Sequence, residues 1–289
     1  MFHTKYTGVY LDKEFNIKFG FPRSGTCSIC DILAIKSVLL RRGKSLKQKK
    51  KVHLLKAEAF RKKKRLFRRQ ARAGNIVCLS FDYMQNLPLP DLKTNAVFYS
   101  HQLWHIVFGV HDLGSDSVTM FTYHEGDGRK GSNEVTSMLL TYINNKNNLW
   151  INFCHGQNKY QTMVHFLFTL VHCFHVFKTV THLFTVRGHN YLPNDQDFSL
   201  IAIKKKKTHT HTLNLSNYQK KARKKLSLFS VVNMHYCDFV NMKADMDDYF
   251  LKSPKFPLKI KSACMLYITE KDMSECETHI MDHGRHAQF

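Results

Sequence analysis

Proline and glycine are scarce, 6 and 13 in 289 residues. So few chain-breakers exclude a collagen-like repeat or a low-complexity disordered chain, and they argue against a loop-rich sandwich. Acidic residues are short as well. Lys and Arg number 44 against 22 Asp and Glu, a formal charge of +22. That balance argues against an ordinary cytosolic metabolic enzyme and for a polyanionic partner such as nucleic acid. Long apolar runs are also lacking. The longest, 163–177, is broken by His165, His172 and His175 and falls short of the ~20 residues that cross a bilayer, so no membrane is expected as a partner. The opening MFHTKYTGVY has neither the basic start nor the apolar segment of a secretory signal. Eight cysteines in such a chain read as reduced thiols rather than a disulfide framework. The expected compartment is nuclear or cytosolic, not secreted.

What is present is a 43% hydrophobic content, enough to bury a core of domain size, and a length that suggests about two domains. The charge is concentrated. From Lys36 to Arg72 there are 17 Lys or Arg and one acidic residue, Glu58. Within that span VHLLKAEAFRKKKRLFRRQARAG is rich in helix formers, with Leu55, Ala59, Leu66 and Phe67 as an interrupted apolar stripe and Gly74 as a stop. A long basic helix is expected. Lys62, Lys63, Lys64, Arg65, Arg68 and Arg69 are its candidates for phosphate contact or nuclear import, against the plainer reading of a solvated helical arm.

After Gly74 the composition changes to strands. Residues 76–83, 98–110 and 117–125 read as three strands joined by short turns, an antiparallel meander. GSNEVTSMLLTYINN carries Val135, Met138, Leu139 and Tyr142 at helical spacing with Ser132 or Asn133 as cap. A short strand at 149–154, a helix at 158–177, a strand at 179–186 and a helix opening at Asp195 or Asp197 complete the order β-β-β-α-β-α-β-α. This is an α/β chain with the order of an RNase H-like core: a mixed five-stranded sheet, three strands antiparallel, the rest reached through helical crossovers. The expected domains are 1–74, basic and largely helical with a CxxC; 75–207, the core; and 208–289, a small basic C-terminal extension with a loose tail.

Such a core places carboxylates on its first strand, its fourth strand and its last helix, converging on two divalent cations, for which Mg²⁺ or Mn²⁺ is suited. Asp82 stands on the first strand, and Asp195 and Asp197 stand at the last helix. The fourth strand offers Asn152 instead of a carboxylate. Gln157, Asn158 and Lys159 stand where a helix N-terminus would meet phosphate, and serve equally well as its cap. Cys27 and Cys30 form one CxxC. With His53, and Cys78 as a further candidate, they make an incomplete zinc set, since zinc takes four ligands. His165, His172, Cys173 and His175 do not share one helix face and read as the polar edges of a core helix. His189 reads as a loop hydrogen-bonder.

The strings FDYMQNLPLP, QLWHIVFGVHD, KGSNEVTSMLLTYI, CHGQNK and VRGHNYLPNDQDFSLI, with FNIKFGFPRSGTCSICD and HLLKAEAFRKKK before them, resemble the transposase-derived family called domain of unknown function 7869. The resemblance runs over roughly residues 8–265. It implies a DDE-type transposase core acting on DNA phosphodiesters, with Asp82 as the family's first Asp and Asp195 and Asp197 as its late pair. Asn152 replaces the family's fourth-strand Asp. An amide brings no charge to a cation, so the resemblance implies a degenerate site. It also implies that the CxxC belongs to a structural zinc. DNA is the expected partner, and a homo-oligomer is the assembly active relatives use. The alternatives are a non-enzymatic nucleic-acid-binding or protein-interaction module and a mobile-element relic without function.

Overall fold

The structure is a computed structural model that describes residues 26–39, 43–89, 102–144, 150–155, 160–189, 191–207, 222, 228–247, 250, 260 and 263–270. The chain falls into two compact units, Met1–Lys51 and Val52–Phe289. In the first, helix α1 spans Ser28–Leu39. Among the described residues of this unit only Cys27 and Cys30 are buried, while Ile35 and Val38 on the same helix are 58% and 84% exposed. Helix α2, Gly43–Arg72, is a single unbroken helix. It ends as glycine chemistry requires. Gly74 adopts φ +78°, its N–H donates to the Ala71 carbonyl and the Asn75 N–H to the Gln70 carbonyl, a pair of bonds that closes the last turn around a left-handed residue.

The second unit is built on an eight-stranded mixed sheet. Its strands are β1 Val77–Tyr83, β2 Leu87–Leu89, β3 Leu103–Asp112, β4 Val118–His124, β5 Trp150–His155, β6 Thr179–Phe184, β7 Ser230–Asn233 and β8 Met265–Thr269. The order across the sheet is β7-β4-β3-β1-β5-β6-β8, with β2 paired to β3. The β1–β3 and β3–β4 pairs are antiparallel, and β1, β5 and β6 run parallel. The expected meander and crossovers are therefore present. The expected count of five strands is not: β2 is an extra edge piece, and β7 and β8 come from the chain beyond residue 207 to cover both sheet edges. β7 adds parallel to β4, and β8 antiparallel to β6.

Alternation along the strands decides what each face carries. From β1, Leu79 and Phe81 join Phe108, Phe121, Met138, Leu139, Phe166 and Leu170 in the main core. That core lies under helices α3, Ser132–Asn144, α4, Gln161–His172, and α6, Met242–Asp247. The opposite face carries Cys78, Ser80 and Asp82 from β1. Cys78 packs there with Phe60, Phe67 and Ala71 of α2. Beside it, Val107 and Met120 pack with Phe198 and Ile201 of helix α5, Pro193–Lys207.

Two expected helices shift. In α2 the buried face is Ala57, Phe60, Phe67 and Ala71, whereas Leu55 and Leu66 are half exposed. Both stripes have helical spacing, and the two aromatic rings, with more area to remove from water, select the face. Helix α4 stops at His172 rather than 177, where His175 turns to φ 50°.

Gly109 shows how closely α5 approaches the sheet. A Cβ there would lie 2.8 Å from Phe198 Cε1 and 3.2 Å from Met120 Sδ. The Gly109→Ala variant is expected to lose about 1–3 kcal/mol through overpacking, read as a lower denaturant midpoint with an unchanged slope.

Candidate functional site

Asp82 and Asp195 lie within reach of each other's charge. Asp82 lies one residue from the end of β1, and its Oδ1 accepts the Tyr83 N–H at 2.8 Å. Burial raises its pKa, opposed by that amide and by the charge of Lys130. Lys130 reaches in from the loop before α3, donating to the Met84 carbonyl at 2.7 Å with its Nζ 5.0 Å above the Tyr83 ring. Asp195 sits in the first turn of α5. Partial burial raises its carboxyl pKa and the charge of Asp82 raises it further, against the Leu192 amide and Lys64. Lys64 in turn donates to the Tyr191 carbonyl at 2.6 Å. Two carboxylates within reach of each other's charge, each with an amine nearby, therefore lie toward the end of the central strand.

The start of α5 explains the placement. Pro193 opens the helix two residues earlier than the two aspartates suggest, because its fixed φ suits the first helical position and its missing N–H costs nothing there. Asp195 becomes the third helical residue, and its Oδ2 reaches back to the Leu192 N–H at 3.3 Å. Asn194 is wholly buried. Its Nδ2 donates to the Gly109 carbonyl at 2.9 Å and its Oδ1 accepts from Ser80 Oγ at 2.6 Å, which fastens the helix start to β1 and β3. This residue was not among the sequence candidates. The alternating small and polar side chains of β1 were the available signal.

Asp197 does not join Asp82. Two residues apart on a helix are separated by about 200° of rotation, and Asp197 turns inward, where its Oδ2 lies 2.7 Å from His111 Nδ1, both side chains 6% exposed. His111 Nε2 is 3.5 Å from Asp116 Oδ1. Asp116 receives Arg68 at 3.0 Å and Arg72 at 2.9 Å. Burial would raise the Asp116 pKa, but these two guanidiniums and His111 hold it below the usual carboxylate value. A chain of polar contacts thus runs from Asp197 of α5 through His111 of β3 and Asp116 to Arg68 and Arg72 of α2.

Asn152 is not level with Asp82 either. The parallel register sets it beside Cys78, four residues before the Asp82 level, about 13 Å along the strand at ~3.3 Å per residue. Gln157, Asn158 and Lys159 lie outside the described residues.

Of the basic candidates on α2, Arg65 and Arg69 are exposed, as is Arg61 before them. The three recur every four residues and so form one line along the helix, about 6 Å apart. Lys62, also exposed, pairs with Glu58 at 3.1 Å, a contact worth little on a solvated surface. Lys63 leans over the Phe67 ring at 5.6 Å. Lys64 and Arg68 are engaged with Tyr191 and Asp116 as described.

The zinc candidates form two pairs. In the first unit the Cys27 and Cys30 sulfurs lie within 4.8 Å of each other, Cys27 just before α1 and Cys30 in its first turn. Burial and the neighbouring Cys27 raise the Cys30 pKa. In the second unit His53 of α2 and His189 of the loop after β6 have ring centroids 5.1 Å apart and ring nitrogens within 4.8 Å. Burial lowers the His53 pKa, with His189 and Lys56 adding to it. His189, expected to be a loop hydrogen-bonder, is thus a neighbour of His53. Cys78 belongs to the sheet interior. Thiols and imidazoles are both donors of the kind that a metal such as zinc takes.

No helix among the described residues is long and apolar enough to cross a membrane. A family model described as Domain of unknown function (DUF7869) matches residues 98–263. No curated protein and no solved structure matches the chain.

Proposed function

We propose, for a chain that belongs to the DUF7869 family, that it is a transposase-derived, RNase H-like protein of the nucleus that binds DNA and whose phosphodiester-transfer site is degenerate. The observation that carries the reading is Asp197 turned away to His111, leaving Asp82 and Asp195 as the carboxylate pair at the end of β1. The sheet supports the scaffold part: β4-β3-β1-β5-β6, with β3 antiparallel to β1 and with β5 and β6 parallel to it, is the arrangement an RNase H-like core requires. In-line displacement at a phosphodiester uses two cations that stabilise the attacking and leaving oxygens, and their charge must be matched by converging carboxylates. Here Lys64 and Lys130 already offset part of the charge of Asp82 and Asp195. The pair therefore attracts a cation weakly. The line Arg61, Arg65 and Arg69 supports the binding part, since guanidiniums a helical turn apart can each take a phosphate.

The deciding experiment combines plasmid nicking in Mn²⁺ with retention of duplex DNA, for the protein and for Asp82→Ala and Asn152→Asp. Retention without nicking by the protein and by Asp82→Ala is the expected result. Nicking that vanishes in Asp82→Ala would establish a working nuclease and overturn the degenerate site. Failure to retain DNA at low salt would overturn the binding function. Asn152→Asp is expected to stay silent, because its strand position lies four residues from the level of Asp82.

A further inference from the structure

We propose that Val52, Leu55, Ala59, Lys62 and Leu66 form an outward seam on α2 that docks an acidic amphipathic helix of a partner protein. The inference stands apart from the DNA-binding reading, and all five residues belong to the second unit. Two stripes with alternating three- and four-residue spacing run along this helix. The first is Ala57, Phe60, Lys64, Phe67 and Ala71, and its four apolar members are buried. The second is the proposed seam. At about 100° of rotation per residue the two stripes point about 140° apart, so packing the first against the fold turns the second outward. Val52, Leu55 and Leu66 are 43%, 50% and 42% exposed, and Ala59 is exposed between them. Large aliphatic side chains thus stay in line on the surface over about 21 Å of helix.

The spacing selects a helix as the occupant. A three-four alternation keeps side chains on the line that a second helix follows, each entering a gap between residues of its neighbour. The charges select the sign of that helix. Flanking the seam are Lys56 and Lys63 on one side and Glu58 and Arg65 on the other. Glu58 is the single acidic residue of α2 and already pairs with Lys62 at 3.1 Å. The flanks therefore present Lys56, Lys63 and Arg65, which glutamates at the facing positions of a partner complement. Lys62 stands within the seam, where its alkyl stem can lie along the leucines while its amine stays in water.

The same features disfavour the other occupants. A second copy of this chain would set like cations face to face, the device by which flanking charges reject a pairing. Duplex DNA would meet the cations through its phosphates and leave the leucines in water. An acidic helix with its own apolar stripe takes up both the charge and the apolar surface.

The test uses the full chain and a synthetic, fluorescently labelled peptide of about three heptads, with Leu at both seam positions and Glu on both flanks. Anisotropy at physiological ionic strength reads binding, which is expected to saturate at one peptide per chain. A peptide of the same composition, reordered so that no seam remains, controls for attraction by net charge and is expected to bind at least about tenfold more weakly. Leu55→Gln with Leu66→Gln is expected to weaken the seam peptide by a similar factor and to leave retention of duplex DNA unchanged. Lys62→Leu, which completes the seam, is expected to tighten it severalfold. Equal binding of the two peptides by the unaltered protein overturns the proposal, whatever the variants do. So does undiminished peptide binding by the leucine variant, or a Lys62→Leu protein that binds no better. Loss of DNA retention by the leucine variant would assign the face to DNA. A dimer of the unaltered protein that this variant lacks in sedimentation would assign it to a second copy, and either result overturns the acidic helix as the occupant.

Discussion

Duplex DNA affinity is expected to fall by about two orders of magnitude between 50 and 200 mM salt. If Arg61, Lys62, Arg65 and Arg69 each neutralise one phosphate, the slope of log affinity against log salt is about −0.9 per contact, or roughly −3.6 in all. A fourfold rise in salt then costs about 150-fold. These four are the right ones to count. Phe60 and Phe67 bury the other side of α2, Arg68 and Arg72 are held by Asp116, and Lys64 is held by the Tyr191 carbonyl.

The variant that separates this interface from general positive charge is Arg61→Ala with Arg65→Ala and Arg69→Ala. Its slope is expected to drop to about −0.9, and its stability to stay within roughly 0.5 kcal/mol because all three side chains are exposed. An equal number of substitutions on α5, Lys204→Ala and Lys205→Ala with Lys178→Ala on the turn before β6, should leave the slope unchanged. A slope that falls equally in both sets would show that net charge, rather than the arginine line, holds the DNA.

The sheet was legible because its signals are local. VCLSFDY and LWHIVFGVHD have the β-branched and aromatic content of buried strands, and Val135, Met138, Leu139 and Tyr142 mark the buried face of α3 at helical spacing. The edge strands were not legible. β7 is four residues and β8 five, too short for an alternation to stand out, and their partners are far away in the chain. The buried face of α2 was ambiguous for another reason: Leu55, Ala59 and Leu66 form as regular a stripe as Ala57, Phe60, Phe67 and Ala71, and packing, not period, chooses between them.

The site was legible in part. Asp82 and Asp195 were both named from their places on the first strand and last helix. Helix geometry alone could have separated Asp195 from Asp197, since residues two apart cannot share a face. His111, Lys130 and Asn194 could not have been found in this way. Each acts through a partner 46 to 86 residues distant, Asp197, Met84 and Gly109 respectively, and only the folded sheet brings those distances to contact. His189 is the extreme case, because a lone histidine in a loop carries no mark of the ring it will meet.

Asp197→Ala is expected to destabilise the protein by about 3 kcal/mol, where the ranges for an unpaired buried polar group and an unpaired buried charge meet. His111 Nδ1 and Asp197 Oδ2 are 2.7 Å apart with both side chains 6% exposed. Removing the carboxylate leaves an imidazole nitrogen without this partner in a place water scarcely reaches. It also loosens the contact through which α5 is held to β3, next to the fit of Phe198 against Gly109. For a unit of this size the loss corresponds to a fall in Tm of roughly 6–12 °C. Asp195→Ala is the control. Its side chain is only partly covered and its main bond is a 3.3 Å contact from the Leu192 amide, so its cost should be about 1 kcal/mol or less. The two late aspartates are thus expected to part company in a thermal melt run without any metal: one holds the helix to the sheet, the other faces Asp82. Equal and small effects from both would show that Asp197 does not hold α5 to β3 and remove the reason for calling the site degenerate.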